Sequence, residues 1–291
     1  MSHHTIKFIA SAAVLLAFTQ TTQAANFNWT GGAATDDWNE DANFGGADIS
    51  AITTADQLVF AGAGDSNAPT ADFVFNAEAD VTARDNVVIT IGTGVNISGF
   101  NQFRLAANSG LDGATLTMTG GSLSGASMTV ASSPSATSDS FFNVSGGALA
   151  TTGAFLVRGL GNVNLNGDDA SLSVGSVEFQ NDSVLNATFD SSGISTIASA
   201  GDVSIGASAL LNFDFSSFAE TGVFELFTGT IVSSYDLANV TGLGALSGGR
   251  TATLGSDADS IFVTIAVPEP SAYALLVSLA GLVFVMVRRR A

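Results

Sequence analysis

The side chains that could do chemistry in this sequence are carboxylates, because most other catalytic residues are missing. The chain has no cysteine, and its two histidines, His3 and His4, lie within the first four residues. Beyond that point, thiol catalysis, Ser-His-Asp triads, histidine zinc sites and disulfides lack the residues they need. Two carboxylates alone could still serve a glycosidase.

The adjacent acids Asp168 and Asp169, in the segment "GDDASL", are the candidate pair. The segment is similar to parts of polygalacturonase-like β-helices, which would imply a polysaccharide lyase or hydrolase. However, adjacent side chains on a strand point to opposite faces, and acids in a Gly-Asn-rich turn usually face solvent. We therefore expect no enzymatic activity, with a lyase or hydrolase on a β-helix scaffold as the alternative.

A second acidic group could attract calcium rather than a transition metal. Asp36, Asp37, Glu40 and Asp41 offer the hard oxygen ligands that Ca²⁺ prefers, yet their spacing matches neither an EF-hand loop nor the nonapeptide calcium repeat. We expect an acidic surface here, weak surface calcium binding at most, and no cofactor.

The charge of the chain excludes one class of partner. Residues 25–267 carry 25 acids and 4 arginines and no lysine, within a whole-chain net charge of −18. Nucleic-acid binding needs Lys and Arg to displace the counterions of the phosphates. We therefore exclude DNA and RNA as partners.

The first 24 residues have the order of parts found in a secretory signal peptide. Lys7 precedes an apolar run from Phe8 to Phe18, and small residues lead to a cleavage position after Ala24. This pattern predicts export through the Sec machinery and a body that begins at residue 25. A buried N-terminal helix is the alternative.

The other end of the chain predicts a membrane helix. Residues 271–287 are uncharged, and as a helix they would extend about 26 Å. Arg288, Arg289 and Arg290 follow at once and would act as a stop-transfer signal that keeps this end cytoplasmic. A C-terminal core helix is the alternative.

Directly before this run, Pro268, Glu269 and Pro270 hold the chain extended, because each proline fixes its own φ and disfavours helix in the residue before it. This motif, the apolar run and the arginines together closely resemble the PEP-CTERM sorting signal of Gram-negative bacteria. The resemblance covers 267–291. It implies recognition by an exosortase, a membrane-embedded cysteine transpeptidase that would cleave near the motif at the inner membrane and release the body to the cell surface or extracellular matrix.

The body, residues 25–266, has the composition of an all-β protein. Apolar residues alternate with polar ones in "NVVITIGTGVNI" and "ATLTMTG", and Gly, Ser, Thr, Asn and Asp separate such stretches. No sustained helical pattern occurs before Ser271. We therefore expect helices to be rare in the body.

An internal repeat indicates a parallel β-helix. The segment "TMTGGSL" at 117–123 aligns with "NVSGGAL" at 143–149, and a third copy ends at Leu172. This spacing suits one coil of a solenoid, with Gly-Gly at a turn and with Leu123 and Leu149 at equivalent inward positions. The alternative is a β-sandwich with hairpins at similar spacing.

The segment "FNWTGGAATDDWNEDANFGG" at 27–46 resembles the N-terminal segment of autotransporter-like and PEP-CTERM surface proteins. It contains the only two tryptophans, Trp29 and Trp38. We expect them to cap the open end of the solenoid. The alternative is an exposed pair that binds a sugar ring.

Together these observations predict an exported surface or extracellular-matrix protein with a structural or adhesive role. Its body would associate with extracellular polysaccharide of a biofilm. Ladders of Ser, Thr and Asn would supply many weak polar contacts, and cations would bridge its carboxylates to anionic glycans.

Overall fold

The computed structural model describes residues 24–33, 35–61, 66–75, 78–105, 113–131, 138–180, 182–232, 237–267 and 272–290. The described residues up to 267 form an all-β solenoid of mostly parallel strands, so the parallel β-helix predicted for the body is confirmed and the β-sandwich alternative is wrong. The strands are β1 (Asn26–Asn28), β2 (Gln57–Ala61), β3 (Ser66–Asn67), β4 (Phe73–Val74), β5 (Asp80–Arg84), β6 (Val88–Ile91), β7 (Asn96–Leu105), β8 (Thr115–Val130), β9 (Ser140–Thr151), β10 (Ala154–Val157), β11 (Gly161–Asn166), β12 (Ala170–Val174), β13 (Ser176–Phe179), β14 (Val184–Thr188), β15 (Ile197–Ile205), β16 (Leu210–Asp214), β17 (Gly222–Ile231), β18 (Val240–Thr241), β19 (Gly244–Ala245), β20 (Thr251–Ser256) and β21 (Ser260–Ala266).

Helices are rare in the described part of the body, as predicted. They are short 3-10 turns at Asp41–Phe44, Ile49–Ala51, Leu237–Asn239 and Ser247–Gly249. The α-helix α1 (Ala272–Arg290) lies beyond the last strand.

The strands form three faces of stacked, parallel pairs, and the long strands β7, β8, β9, β15 and β17 contribute to more than one face. Face A contains β3, β6, β8, β9, β11, β14, β16 and β18 in that order. Face B contains β4, β7, β8, β9, β12, β15 and β17. Face C contains β1, β2, β5, β7, β8, β10, β13, β15 and β17.

The repeat read from the sequence sets the stacking of face B. Leu123 pairs with Leu149 in parallel register, and Leu149 pairs with Leu172 in the next coil. All three side chains are buried. The predicted inward equivalence of Leu123 and Leu149 is therefore confirmed, and so is the third copy.

The Gly-Gly pairs of the repeat lie at the corner between faces A and B. Gly121 and Gly147 both have positive φ, 64° and 89°. A Cβ on Gly147 would lie 2.4 Å from the backbone oxygen of Gly120 in the coil below. Only glycine therefore allows both the left-handed corner and the close stacking of successive coils.

The core fills the space between the three faces with inward side chains at every second position. A row of phenylalanines runs along the axis, with ring centroids 5.8 Å apart for Phe142 and Phe155, 6.4 Å for Phe155 and Phe179, and 5.6 Å for Phe179 and Phe227. Burying each such ring stabilises the fold by about 2 to 3 kcal/mol. No coil could bury its own rings without its neighbours.

Aromatic rings close the N-terminal end of the solenoid. Trp38 is fully buried, packs 4.6 Å from Phe60 and donates a 2.6 Å hydrogen bond from Nε1 to Asn67 Oδ1 on β3. Trp29 is also buried and packs against Phe44 and Phe60. The predicted tryptophan cap is confirmed, and the alternative of an exposed sugar-binding pair is wrong.

Antiparallel strands close the C-terminal end. Strand β21 pairs with β17 in the opposite direction, and β20 and β19 extend the sheet from there. The guanidinium of Arg250, which precedes β20, donates to the backbone oxygens of Phe218, Glu220 and Ser247 at 2.8, 3.2 and 3.1 Å. Arg250 thereby ties this final sheet to the last parallel coil.

The transmembrane helix expected over 271–287 is not supported. Helix α1 has 19 residues, of which the last three are arginines. Among the helices of the described residues, none combines the length and apolar character that a membrane crossing requires.

Candidate functional site

The most regular polar feature of the described surface is a column of outward side chains on face A. Asn143, Asn164, Asn186 and Asn212 lie at paired positions of β9, β11, β14 and β16. Thr117 on β8 precedes them and Thr241 on β18 follows them in the same register. Each asparagine lies between two buried apolar residues of its own strand, and this alternation turns its side chain outward. We call this column the asparagine ladder.

Hydrogen bonds join the asparagine ladder from end to end. Nδ2 of Asn164 donates to Oδ1 of Asn143 at 2.6 Å, Asn186 donates to Asn164 at 2.7 Å, and Asn212 donates to Asn186 at 2.8 Å. Thr241 Oγ1 donates to Asn212 at 2.7 Å, and Asn143 donates to Thr117 Oγ1 at 3.4 Å. The side chains are therefore held in fixed positions, one strand spacing or about 4.8 Å apart.

The ladder leaves hydrogen-bonding capacity facing solvent. A side-chain amide has two N–H donors and an oxygen with two lone pairs. The bonds along the column use one N–H and one lone pair of Asn164 and of Asn186. The second N–H and lone pair of each half-buried amide can bind hydroxyl groups, which both donate and accept.

Face A is also nearly free of charge, in a chain whose net charge is −18. Among the paired residues of this face, the one charged residue is Asp214, at the end of β16. Beside the ladder runs a second outward column that includes Phe141, Val184 and Leu210. A polar column next to partly exposed apolar groups suits a ligand that has hydroxyls on its edges and C–H groups on its faces.

The structure separates the predicted carboxylate pair. Asp168 and Asp169 are both exposed, in the turn before β12. Asp168 lines a shallow depression of about 400 Å³ together with Glu225 of β17, Phe224 and Ser192, whereas Asp169 does not line it. The prediction that the two acids occupy a solvated turn is confirmed, and Glu225 is the acid that sequence reasoning did not associate with Asp168.

The acidic side chains at the N-terminal end accept hydrogen bonds from backbone nitrogens. Asp36 accepts a hydrogen bond from Ala68 N, Asp37 from Asn39 N, and Asp41 from Ile49 N. In the part of the chain that the structure describes, no three His, Asp or Glu side chains converge on a possible metal position. Weak calcium binding at the acidic surface stays a prediction.

The sorting residues are only partly within the structure. Pro268, Glu269 and Pro270 lie outside the described residues, as do residues 1–23 of the predicted signal peptide. Arg288 and Arg289 are exposed in the last turn of α1, and Arg290 is the final residue of that helix. Their predicted roles in sorting and stop-transfer stay predictions.

Sequence reasoning predicted ladders of Ser, Thr and Asn but did not identify the residues of the asparagine ladder. The signal was an asparagine between two apolar residues, as in "FNV" at 142–144, "VNL" at 163–165, "LNA" at 185–187 and "LNF" at 211–213. The successive asparagines lie 21, 22 and 26 residues apart. This uneven spacing hides the repeat, and asparagine is also common in turns.

Comparisons with protein-family models, with curated proteins and with solved structures find no significant match to this chain.

Proposed function

We propose that this protein is an exported surface or extracellular-matrix protein of a Gram-negative bacterium, with a structural or adhesive role. In this proposal the Sec machinery exports the chain. An exosortase then recognises segment 267–291 at the inner membrane, and the solenoid associates with extracellular polysaccharide. The body acts without a cofactor and without catalysing a reaction.

The asparagine ladder is the observation that carries the proposal. It presents fixed amide groups in a column on a face that is nearly free of charge, with apolar side chains beside it. Polysaccharide chains offer hydroxyl edges and apolar ring faces at regular intervals, so such a face can make many equivalent weak contacts with an extended glycan. Exposed acids of the body such as Asp168 and Asp169 would add cation-bridged contacts to anionic glycans.

The binding experiment compares two faces of the same protein. Asn164 and Asn186 are replaced together by valine, which suits a strand but has no hydrogen-bonding group. The matched control replaces Ser124 and Ser173, outward residues of face B, by valine. Binding is measured by affinity electrophoresis in gels that contain cellulose derivatives, xylan, alginate or pectate.

We expect the asparagine variant to lose about tenfold or more in affinity for at least one glycan, because each lost hydrogen bond contributes about 1 kcal/mol. The serine variant should bind as the wild type does. Equal binding by all three proteins would exclude the ladder as the binding face. Failure of the wild type to bind any of these glycans would contradict the polysaccharide proposal itself.

The sorting part has a separate test. Replacing Pro268, Glu269 and Pro270 by alanine should leave export intact but keep the protein in the inner membrane. Fractionation and immunoblotting would show where it accumulates. Unchanged release to the surface or medium would argue against exosortase sorting.

A polysaccharide lyase or hydrolase is the second candidate, because Asp168 and Glu225 line one depression. Among the residues that line it there is no arginine or lysine to stabilise an anionic transition state. Product release from the same glycan panel, compared between the wild type and an Asp168→Asn, Glu225→Gln variant, separates the two candidates. Turnover that the double variant abolishes would favour the enzyme.

A further inference from the structure

Ala25, the first residue after the predicted signal peptide, has its nitrogen bonded to a buried acid. The Ala25 backbone nitrogen donates to Oδ1 of Asp56 at 2.7 Å, and the Ala25 oxygen accepts from Gln57 N at 3.0 Å. Strand β1 then begins at Asn26 and pairs with β2. The contact therefore lies where the chain enters the solenoid.

Asp56 is built into the fold as an acceptor. Its side chain is 7% exposed, and its Oδ2 accepts hydrogen bonds from the nitrogen and the hydroxyl of Thr53 at 2.8 and 2.7 Å. The hydrogen bond from Ala25 N and the one from the Thr53 hydroxyl lower the pKa of the Asp56 carboxyl below its ordinary value of 3.8, although burial acts in the opposite direction. Asp56 is thus ionised at neutral pH.

The described surroundings do not supply a cation to Asp56. Strand β1 has the sequence Asn-Phe-Asn, without a titratable group. In the next coil, Asp80 of β5 and Arg104 of β7 bind each other, and Glu78 before β5 is exposed. The salt bridges of the described residues do not include Asp56.

We propose that Asp56 is the binding site for the chain's own α-ammonium group, which signal-peptide cleavage creates at Ala25. This inference rests on the export part of the proposed function and is independent of glycan binding. Before cleavage, Asp56 accepts a hydrogen bond from a neutral amide. After cleavage, it forms a charge-assisted hydrogen bond with an ammonium group at the same position, which is roughly twice as strong.

The chemistry is a single hydrolysis. A signal peptidase adds water across the Ala24–Ala25 peptide bond, so that Ala24 leaves as a carboxylate and Ala25 keeps its nitrogen as an amine. That amine binds a proton at neutral pH, because the ordinary pKa of an α-amino group is about 7.7 to 8.0. The exported body is thereby held at its first residue more strongly than the precursor is.

The pH dependence has a defined sign. The carboxylate of Asp56 favours the charged amine in the folded state, so the folded pKa of the α-amino group should rise above its unfolded value of about 7.7 to 8.0. The added stability is present below that value and is lost as pH rises through the higher folded pKa.

The experiment uses six chains that span Ala25 to Ala291 in one detergent solution. Three have a free α-amino group, produced by cleaving a fusion directly before Ala25, and three are Nα-acetylated. Each set contains the unsubstituted chain, Asp56→Asn and Asp257→Asn. With Asp56 present, the free amine should lower the unfolding equilibrium constant about tenfold relative to the acetylated chain, which corresponds to a pKa shift of about one unit.

With Asp56→Asn that difference should largely disappear, while the control Asp257→Asn at the opposite end should leave it unchanged. The same effect of acetylation in both backgrounds would overturn the proposal, as would an α-amino pKa in the ordinary range. Mass spectrometry of the exported protein is a second test. A mature chain that begins at any residue other than Ala25 would also refute the proposal.

Discussion

The two ends of the solenoid are closed by different structural features. At the N-terminal end, the rings of Trp29, Trp38 and Phe44 cover Phe60, and the strands remain parallel. At the C-terminal end, the chain reverses and β17, β21, β20 and β19 form an antiparallel sheet that Arg250 ties down. Aromatic side chains close the N-terminal end, and a change of strand direction distinguishes the C-terminal end.

The difference shows which part of an open coil each cap protects. A terminal coil exposes both apolar core and unpaired strand edges, and either one promotes association with other chains. Aromatic rings protect the core, whereas a change of strand direction also makes the edge unsuitable for another parallel coil. We therefore expect defects at the N-terminal end to act through packing and defects at the C-terminal end to act through hydrogen bonds.

The largest effect should follow from Trp38→Ala. The indole is fully buried and its Nε1 donates to the side-chain oxygen of Asn67, so its removal leaves a cavity and an unpaired buried oxygen. We expect a loss of about 4 kcal/mol in the free energy of unfolding, measured by urea denaturation. Val74→Ala, at a side chain that is 60% exposed, is the control and should change little. A loss below about 1 kcal/mol for Trp38→Ala would show that the rings do not support the end.

Arg250→Met should have a smaller effect. Methionine keeps most of the volume but leaves the oxygens of Phe218, Glu220 and Ser247 without their donor. We expect a loss of about 2 to 3 kcal/mol, together with faster hydrogen exchange in β19, β20 and β21. Thr253→Ala, at an exposed position of β20, is the control. Unchanged exchange in these strands would contradict the role of Arg250 as a tie.

The smallest effect concerns one acid at each end. Hydrogen bonds from Asp259 N and the Ser260 hydroxyl lower the pKa of Asp257 below 3.8, and Asp56 is lowered in a comparable way. Because both folded pKa values are depressed, their stabilisation is present above 3.8 and is lost as pH falls through the folded values. Asp56→Asn and Asp257→Asn should each weaken the dependence of the urea denaturation midpoint on pH between about pH 5 and 2. An unaltered pH profile would be evidence against these hydrogen bonds.

The sequence predicted the parts of the fold in which one coil repeats the next with equal spacing. "TMTGGSL" and "NVSGGAL" showed the register of Leu123 and Leu149 and the position of the Gly-Gly corner, because glycine is the residue that both the corner and the close stacking require. The tryptophan cap was also predictable, since two large rings in a Gly-rich leading segment need a core to cover.

The other features depend on which residues the stacked strands bring together, and the spacing in the sequence does not show this. Corner loops of different lengths separate the asparagines of the ladder, so their alignment emerges only when the strands stack. Glu225 and Asp168 line the same depression although they lie 57 positions apart in the sequence, for the same reason. The antiparallel C-terminal sheet was missed because alternating strands look alike whichever way they pair.

The asparagine ladder has a direction. Every amide in it donates toward the N-terminal end of the solenoid and accepts from the C-terminal side, so the bond dipoles add rather than cancel, and each bond polarises the next. The face therefore has a polarity along the solenoid axis. A linear molecule lying on it would meet two unequal arrangements of donors and acceptors in its two orientations.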